Sequence, residues 1–280
     1  MKNFNGLGLN PVLAKSLVKM KYDTPTPIQA KAIPLALDGR DIMGSAQTGT
    51  GKTAAFSIPL VQSLLNDPSG GALVLTPTRE LGKQVLDVIT QLLGPNSDIH
   101  TAFLIGGDSM QKQNNQLKRK PRLIVGTPGR INDHLDRGSL KLNDTRFLVL
   151  DETDRMLDMG FTDQLERIVK QLPRARQTMM FSATMPKNIM QIAEKYLNNA
   201  ERIAVGSTIQ PAKNIKQETV RVGDGEKYDE LLRQLENRAG TIVMFVKTKY
   251  ATERMAKRLK SDGYEADALH GDLKQSRRDR

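Results

Sequence analysis

From Asp41 onward this chain alternates short runs of strand character with longer stretches in which apolar residues recur at helical intervals. The strand candidates are residues 42–45, 72–76, 100–105, 123–126, 147–150, 178–182 and 202–205. Between the first two, Ala54, Ala55, Phe56, Ile58, Leu60, Val61, Leu64 and Leu65 mark one face of a helix. This alternation predicts an α/β fold, a mostly parallel sheet wrapped by helices. The run FLVL at 147–150 is apolar throughout, as a strand buried on both faces must be.

Upstream, residues 11–20 read as a short helix, and Pro25, Thr26 and Pro27 make a rigid bend with Thr26 placed to cap a second helix starting at Pro27. On pattern alone Gln29 is an ordinary exposed helix residue. Downstream, residues 206–214, with Gly206, Ser207, Thr208 and Pro211, read as a linker. A second unit then predicts strand 215–222, helix 226–238, strand 242–246, helix 250–261 and strand 265–269.

In a parallel sheet, ligands gather at the carboxyl ends of the strands. That puts PTREL (77–81), Gly106 with Gly107, TPGR (127–130), DETD (151–154) and SAT (182–184) on one rim with AQTGTGKT (46–53). The last stretch stands between a strand and a helix, where a phosphate-binding loop has to sit. Gly49 and Gly51 let backbone N–H groups turn inward around a polyphosphate, and the helix starting near Lys52 aims its positive end there. Lys52 would reach the β- and γ-phosphates, and the Thr53 hydroxyl would ligate Mg²⁺. The loop opens with Ala46 where the strict pattern has Gly.

Asp151 ends the FLVL strand, taken to lie beside the phosphate loop, and is positioned to hold Mg²⁺ through water. Glu152 is then close enough to polarise a water in line with the γ-phosphate. Gln29 gains a role from the same loop, because an amide offers the donor and acceptor that reading an adenine edge requires. Met156, Leu157, Met159 and Phe161 read as core.

Composition narrows the class. No apolar run approaches the roughly 20 residues needed to cross a bilayer, so no membrane partner is expected. The chain has no Cys, which excludes disulfides and thiolate metal sites and suits a reducing cytoplasm. A formal net charge of +11 favours a polyanionic partner, nucleic acid ahead of an acidic membrane. Aromatic residues make up only 4%, which argues against a base-stacking platform.

Phe4, TPTPIQ ending at Gln29, AQTGTGKT, PTREL, the Gly106 and Gly107 pair, TPGR, DETD followed by RMLDMGF, and SAT occur in the order and approximate spacing of the DEAD-box RNA helicases, which the chain resembles from Phe4 to its last residue. The resemblance implies a complete RecA-like first domain and the N-terminal part of a second. Its divisions are a Gln-containing region at 2–30, an ATP-binding domain at 31–205, the linker at 206–214 and a partial second domain at 215–280. It implies that Phe4 packs on adenine and Gln29 bonds its edge, that Ala46, Gln47, Thr48, Gly49, Thr50, Gly51, Lys52 and Thr53 wrap the phosphates of ATP, and that Thr53 and Asp151 hold Mg²⁺. Lys52, Asp151 and Glu152 would serve hydrolysis, and Ser182 and Thr184 would link the nucleotide to RNA, partly through Asp154. Arg79, Gly106, Gly107, Thr127 and Arg130 would touch the backbone of one RNA strand. In the second unit, FVKTK, His270-Gly271-Asp272, and Gln275 with Arg278 resemble the opening of the second domain, giving Lys247, Thr248, Gly271 and Arg278 as RNA-facing candidates.

Two departures stand out: Thr153 replaces the Ala of the name-giving tetrapeptide, and Tyr22 stands where Phe is more frequent. The family's later motifs, including HRxGRxGR, do not occur in the chain. Two readings follow. One is ATP hydrolysis coupled to local unwinding of RNA duplexes. The other is a silent or very slow ATP- and RNA-binding fragment, with a separate chain supplying the missing half. A DNA-directed motor or a non-helicase ATPase is a third class, disfavoured by the proline-bracketed Gln segment.

Overall fold

The computed structural model describes residues 3–205, 216–223 and 225–280, so the expected linker and Ile215 lie outside the described residues. The chain divides into two compact units, Met1–Gln210 and Pro211–Arg280. The first runs α1 (Pro11–Lys19), α2 (Pro27–Leu37), β1 (Ile42–Ala46), α3 (Lys52–Asn66), β2 (Gly71–Leu75), α4 (Arg79–Leu93), β3 (Thr101–Leu104) and α5 (Met110–Lys118). It continues through β4 (Leu123–Gly126), α6 (Pro128–Asp136), β5 (Thr145–Leu150), α7 (Thr153–Asp158), α8 (Thr162–Lys170), β6 (Gln177–Ser182), α9 (Lys187–Tyr196) and β7 (Glu201–Val205). The second carries α10 (Lys227–Glu236), α11 (Lys249–Ser261) and α12 (Gln275–Asp279).

All seven strands join one sheet in the order β3-β4-β2-β5-β6-β1-β7, and every pairing is parallel. Successive residues of a strand point to opposite faces, and this alternation makes two cores. Ile42, Val74, Val125, Val149 and Phe181 face α1 to α4, where Leu13, Ile33, Phe56, Leu60 and Ile89 cover them. Met43, Leu73, Leu75, Ile124, Leu148, Leu150 and Met180 face the other way, covered by Ile131, Met156, Leu165, Ile168 and Ile189. Of the four residues expected in the core after DETD, Met156 is buried, Leu157 and Phe161 are half-buried, and Met159 is exposed at the C-cap of α7.

Asp41 ties the entry edge of the sheet together. Its two carboxylate oxygens accept from the N–H of Thr178 (2.7 Å) and of Asn198 (2.7 Å), and its carbonyl accepts from Glu201 N–H (2.8 Å). Burial raises its pKa, against the two N–H groups and the charge of Arg176. An amide can accept only one of those N–H groups without turning its own NH₂ toward the other. Asp41→Asn is therefore expected to lower stability by about 2 kcal/mol, read as a lower urea midpoint at unchanged slope.

The second unit departs from expectation. Its helices form near their predicted places, but no strand forms among the described residues 216–280. A strand needs a hydrogen-bonded neighbour and cover for its apolar side chains. Here Val243 and Phe245 are 72% and 95% exposed, and only Leu259 and Ala268 are buried hydrophobics among the described residues of the unit.

Candidate nucleotide and nucleic-acid site

Because every strand is parallel, the segments that follow them share one rim. Sheet order sorts that rim into two halves: the turns after β3, β4 and β2 carry Gly106, Gly107, Thr127, Arg130 and Arg79, and those after β5, β6 and β1 carry DETD, SAT and the 46–53 loop. The sheet corrects one expectation. β6 lies between β1 and β5, so the strand ending at Asp151 is not the neighbour of the phosphate loop. Ser182 ends the intervening strand, fully buried, with a hydroxyl that finds no partner.

Side-chain hydrogen bonds hold the loop. Lys52 Nζ donates to the Ala46 carbonyl (2.6 Å), Thr50 Oγ1 to the Gln47 carbonyl (2.7 Å), and Gln29 Nε2 to the Gly51 carbonyl (3.1 Å). Gln29 thus corrects the pattern-based reading: it is 2% exposed, and its Oε1 accepts from the N–H of Thr26, the N-cap of α2. These two bonds use one amide hydrogen and one lone pair and leave one of each. Gly51, the N-cap of α3, has φ +92°, and a Cβ there would collide with Gln29 Nε2. Gly49 also has positive φ, +82°, but open space around it. Phe4 is buried with its ring edge-to-face on Tyr22, centroids 6.2 Å apart.

Asp151 is 6% exposed, and burial pushes its pKa up to about 7 against the attraction of Lys52, with Glu152 and Asp154 adding to the rise. One of its oxygens accepts from Glu152 N–H at 3.0 Å. A buried carboxylate so poorly compensated suits a hard cation, and with the Thr53 hydroxyl and phosphate oxygens it makes the donor set Mg²⁺ prefers. Among the described residues no group of three or more His, Asp or Glu could hold a metal by itself. The folded pKa lies above the roughly 3.9 of an unfolded Asp. The ligand-free fold therefore holds this proton more tightly than the unfolded chain, and the stability it lends is complete below about pH 4 and lost as pH rises toward 7. Asp151→Asn should accordingly stabilise the ligand-free chain by about 4 kcal/mol at pH 8 and not at pH 4, seen in paired thermal melts.

Glu152 caps α7 in the left-handed region, φ +49° and ψ 51°, a costly conformation for a residue with a side chain. Its carboxylate meets Arg155 Nη1 at 3.2 Å, a partner that the i,i+3 spacing could have disclosed and the sequence reading omitted. Thr153 is fully buried, its hydroxyl donating to the Leu150 carbonyl (3.3 Å). Asp154 bridges to the next strand's exit. Its Oδ2 accepts from the N–H groups of Ala183 (3.1 Å) and Thr184 (2.9 Å) and from the Thr184 hydroxyl (3.0 Å).

On the other half, the Arg79 guanidinium lies across Gly106 and Gly107. A Cβ on Gly106 would sit 3.3 Å from its Nη2, and one on Gly107, where φ is +78°, would collide with Nη1. Thr127 caps α6, and Arg130 on that helix donates to the Asp108 carbonyl (3.3 Å), so these five candidates adjoin. In the second unit, Thr248 caps α11 by accepting from Ala251 N–H (3.1 Å), and the Lys249–Asp272 pair (2.6 Å) draws the exposed Lys247, Thr248 and Gly271 segments together; Arg278 lies on α12. Among the described residues no helix is long and apolar enough to cross a membrane.

The DEAD/DEAH box helicase family model matches residues 26–192. The chain is 46% identical over 279 residues to the ATP-dependent RNA helicase DeaD of Buchnera aphidicola subsp. Schizaphis graminum, covering 99% of this chain and 46% of that protein. It is 42% identical over 280 residues to the DEAD-box ATP-dependent RNA helicase CshA of Geobacillus kaustophilus, covering 99% of this chain and 60% of that protein. A crystal structure of a DEAD box protein from the hyperthermophile Methanococcus jannaschii superposes with a TM-score of 0.70 at 39% identity, covering 99% of this chain and 75% of that one. The chain thus spans about half the length of these curated relatives, and its seven-stranded parallel sheet flanked by helices is a RecA-like α/β fold. Model, relatives and fold agree: the chain belongs to the DEAD/DEAH box helicase family.

Proposed function

We propose that this chain binds ATP with Mg²⁺ and one RNA strand on the rim of its first unit, as part of a protein that couples ATP hydrolysis to local RNA unwinding. The observation that carries this reading is the Asp154 carboxylate, which receives three hydrogen bonds from residues 183–184 and so ties the DETD and SAT turns together on the half of the rim that also carries the 46–53 loop. In this reading Lys52 exchanges the Ala46 carbonyl for phosphate oxygens, Thr53 and Asp151 hold Mg²⁺, Glu152 orients the attacking water, and Gln29 and Phe4 take the adenine. Magnesium, when bound, neutralises charge building on the phosphates. Arg79, Arg130 and the N–H groups near Gly106, Gly107 and Thr127 take backbone phosphates, which position a strand without reading its sequence. Lys247, Thr248, Gly271 and Arg278 add contacts from the second unit.

ATP affinity and turnover, measured with single-stranded RNA and with DNA of equal length, test the proposal. RNA-selective binding and stimulation are expected; equal response to DNA sinks the RNA assignment, and no affinity for adenine nucleotides with Mg²⁺ sinks the whole. Binding of both ligands without turnover would give this chain the binding role alone.

A further inference from the structure

Beneath the Gly106 and Gly107 turn runs a buried polar chain. Gln113, fully buried on α5, donates from Nε2 to the Ile105 carbonyl (2.8 Å), the last group before the turn. That bond fixes the amide, so its oxygen faces Nε2 of His134, fully buried on α6, at 3.1 Å. An amide oxygen only accepts, so His134 Nε2 carries a proton. Burial holds the imidazole pKa below its ordinary value, with Arg130 and Arg137 acting the same way against Asp133. Burial thus disfavours the charged ring, whose Nδ1 lies 2.8 Å from the Ser139 hydroxyl; that hydroxyl also lies 3.1 Å from the His134 carbonyl.

Polar groups at full burial lend little net stability, since water satisfied them before folding. What a satisfied network does supply is one fixed geometry. This one joins two segments: the 105–108 turn after β3, and α6, whose first turn carries Arg130 and whose cap is Thr127. A second link, Arg130 Nη1 to the Asp108 carbonyl, joins the same two segments.

Resting on the RNA reading above, we propose that Gln113 and His134 are positioning residues for the RNA strand. They set the spacing between the N–H groups of the turn and those at the start of α6, so that neighbouring phosphates of one strand are met by both at once. Two contacts on a rigid frame reinforce each other, and that gain is lost when the frame loosens.

The test uses the whole 280-residue chain and a single-stranded RNA probe, with ATP affinity and the thermal midpoint measured beside it. His134→Leu and Gln113→Leu should each weaken RNA binding about tenfold with ATP affinity unchanged. His134→Gln, which restores an N–H for the Gln113 oxygen, should return RNA affinity to within about twofold. Should the leucine variants not fold, Ser139→Ala, which removes one hydroxyl at the edge of the network, should weaken RNA binding about threefold. Arg130→Ala separates the two readings. If it weakens RNA binding and the network variants do not, the positioning role is overturned. If neither does, the RNA reading falls and this inference with it. Equal loss of ATP and RNA affinity in the network variants, or no rescue by His134→Gln, would mark them as merely structural and overturn the proposal.

Discussion

Lys52→Ala is expected to weaken ATP binding about 100-fold, because a buried ammonium that hydrogen-bonds charged groups contributes roughly 1.5–3 kcal/mol per bond. Lys52 is only 8% exposed, with Nζ 2.6 Å from the Ala46 carbonyl and close enough to Asp151 to pull that carboxyl's pKa down. Removing it takes away the cation proposed to meet the phosphates and leaves Asp151 more strongly protonated, which also disfavours a divalent ion there. The ligand-free fold should survive, since a protonated Asp151 is at home in its buried site. Calorimetric titration with ATP and Mg²⁺ reads the effect; a dissociation constant within threefold of the parent would remove this loop from the nucleotide site.

Gly51→Ala is the second large effect. A left-handed backbone costs a residue with Cβ roughly 1–2 kcal/mol. The new methyl also lies 2.9 Å from Thr26 Oγ1 and collides with Gln29 Nε2, so the bond from Gln29 to the loop is lost as well. The sum is about 3 kcal/mol, expected as a lower thermal midpoint together with a loss of ATP affinity on the order of that in Lys52→Ala. Gly49→Ala isolates the conformational part, because φ there is +82° with nothing within 4 Å. If the two substitutions prove equal, the contact with Gln29 contributes nothing.

Much of the fold was legible because a parallel strand buried on both faces leaves an apolar run, as FLVL does, and all seven strand candidates of the first unit became strands. The same signal misled in the second unit. The run at 242–246 has the right residues, but pairing depends on a neighbour that the run itself does not encode, and Phe245 stays exposed. Gln29 shows the complementary limit: its helical position suggested solvent, and its burial follows from a carbonyl 22 residues away. The expected adjacency of the strand before Asp151 to the strand before the loop failed for a similar reason, since strand order in a crossover sheet is not sequence order. Residues within a motif, such as Lys52 and the DETD acids, could be singled out as candidates from the sequence. Gln113 and His134 lie outside the motifs, and their pairing spans two helices.

Thr153 has a consequence for how kin of this protein are found. Its side chain points into packed interior and satisfies itself on the Leu150 carbonyl, so the third letter of the signature answers to available volume, not to reactivity. A filter demanding the literal four-letter word would discard this chain, whereas one weighting the acids at 151, 152 and 154 and tolerating any small residue between them would retain it.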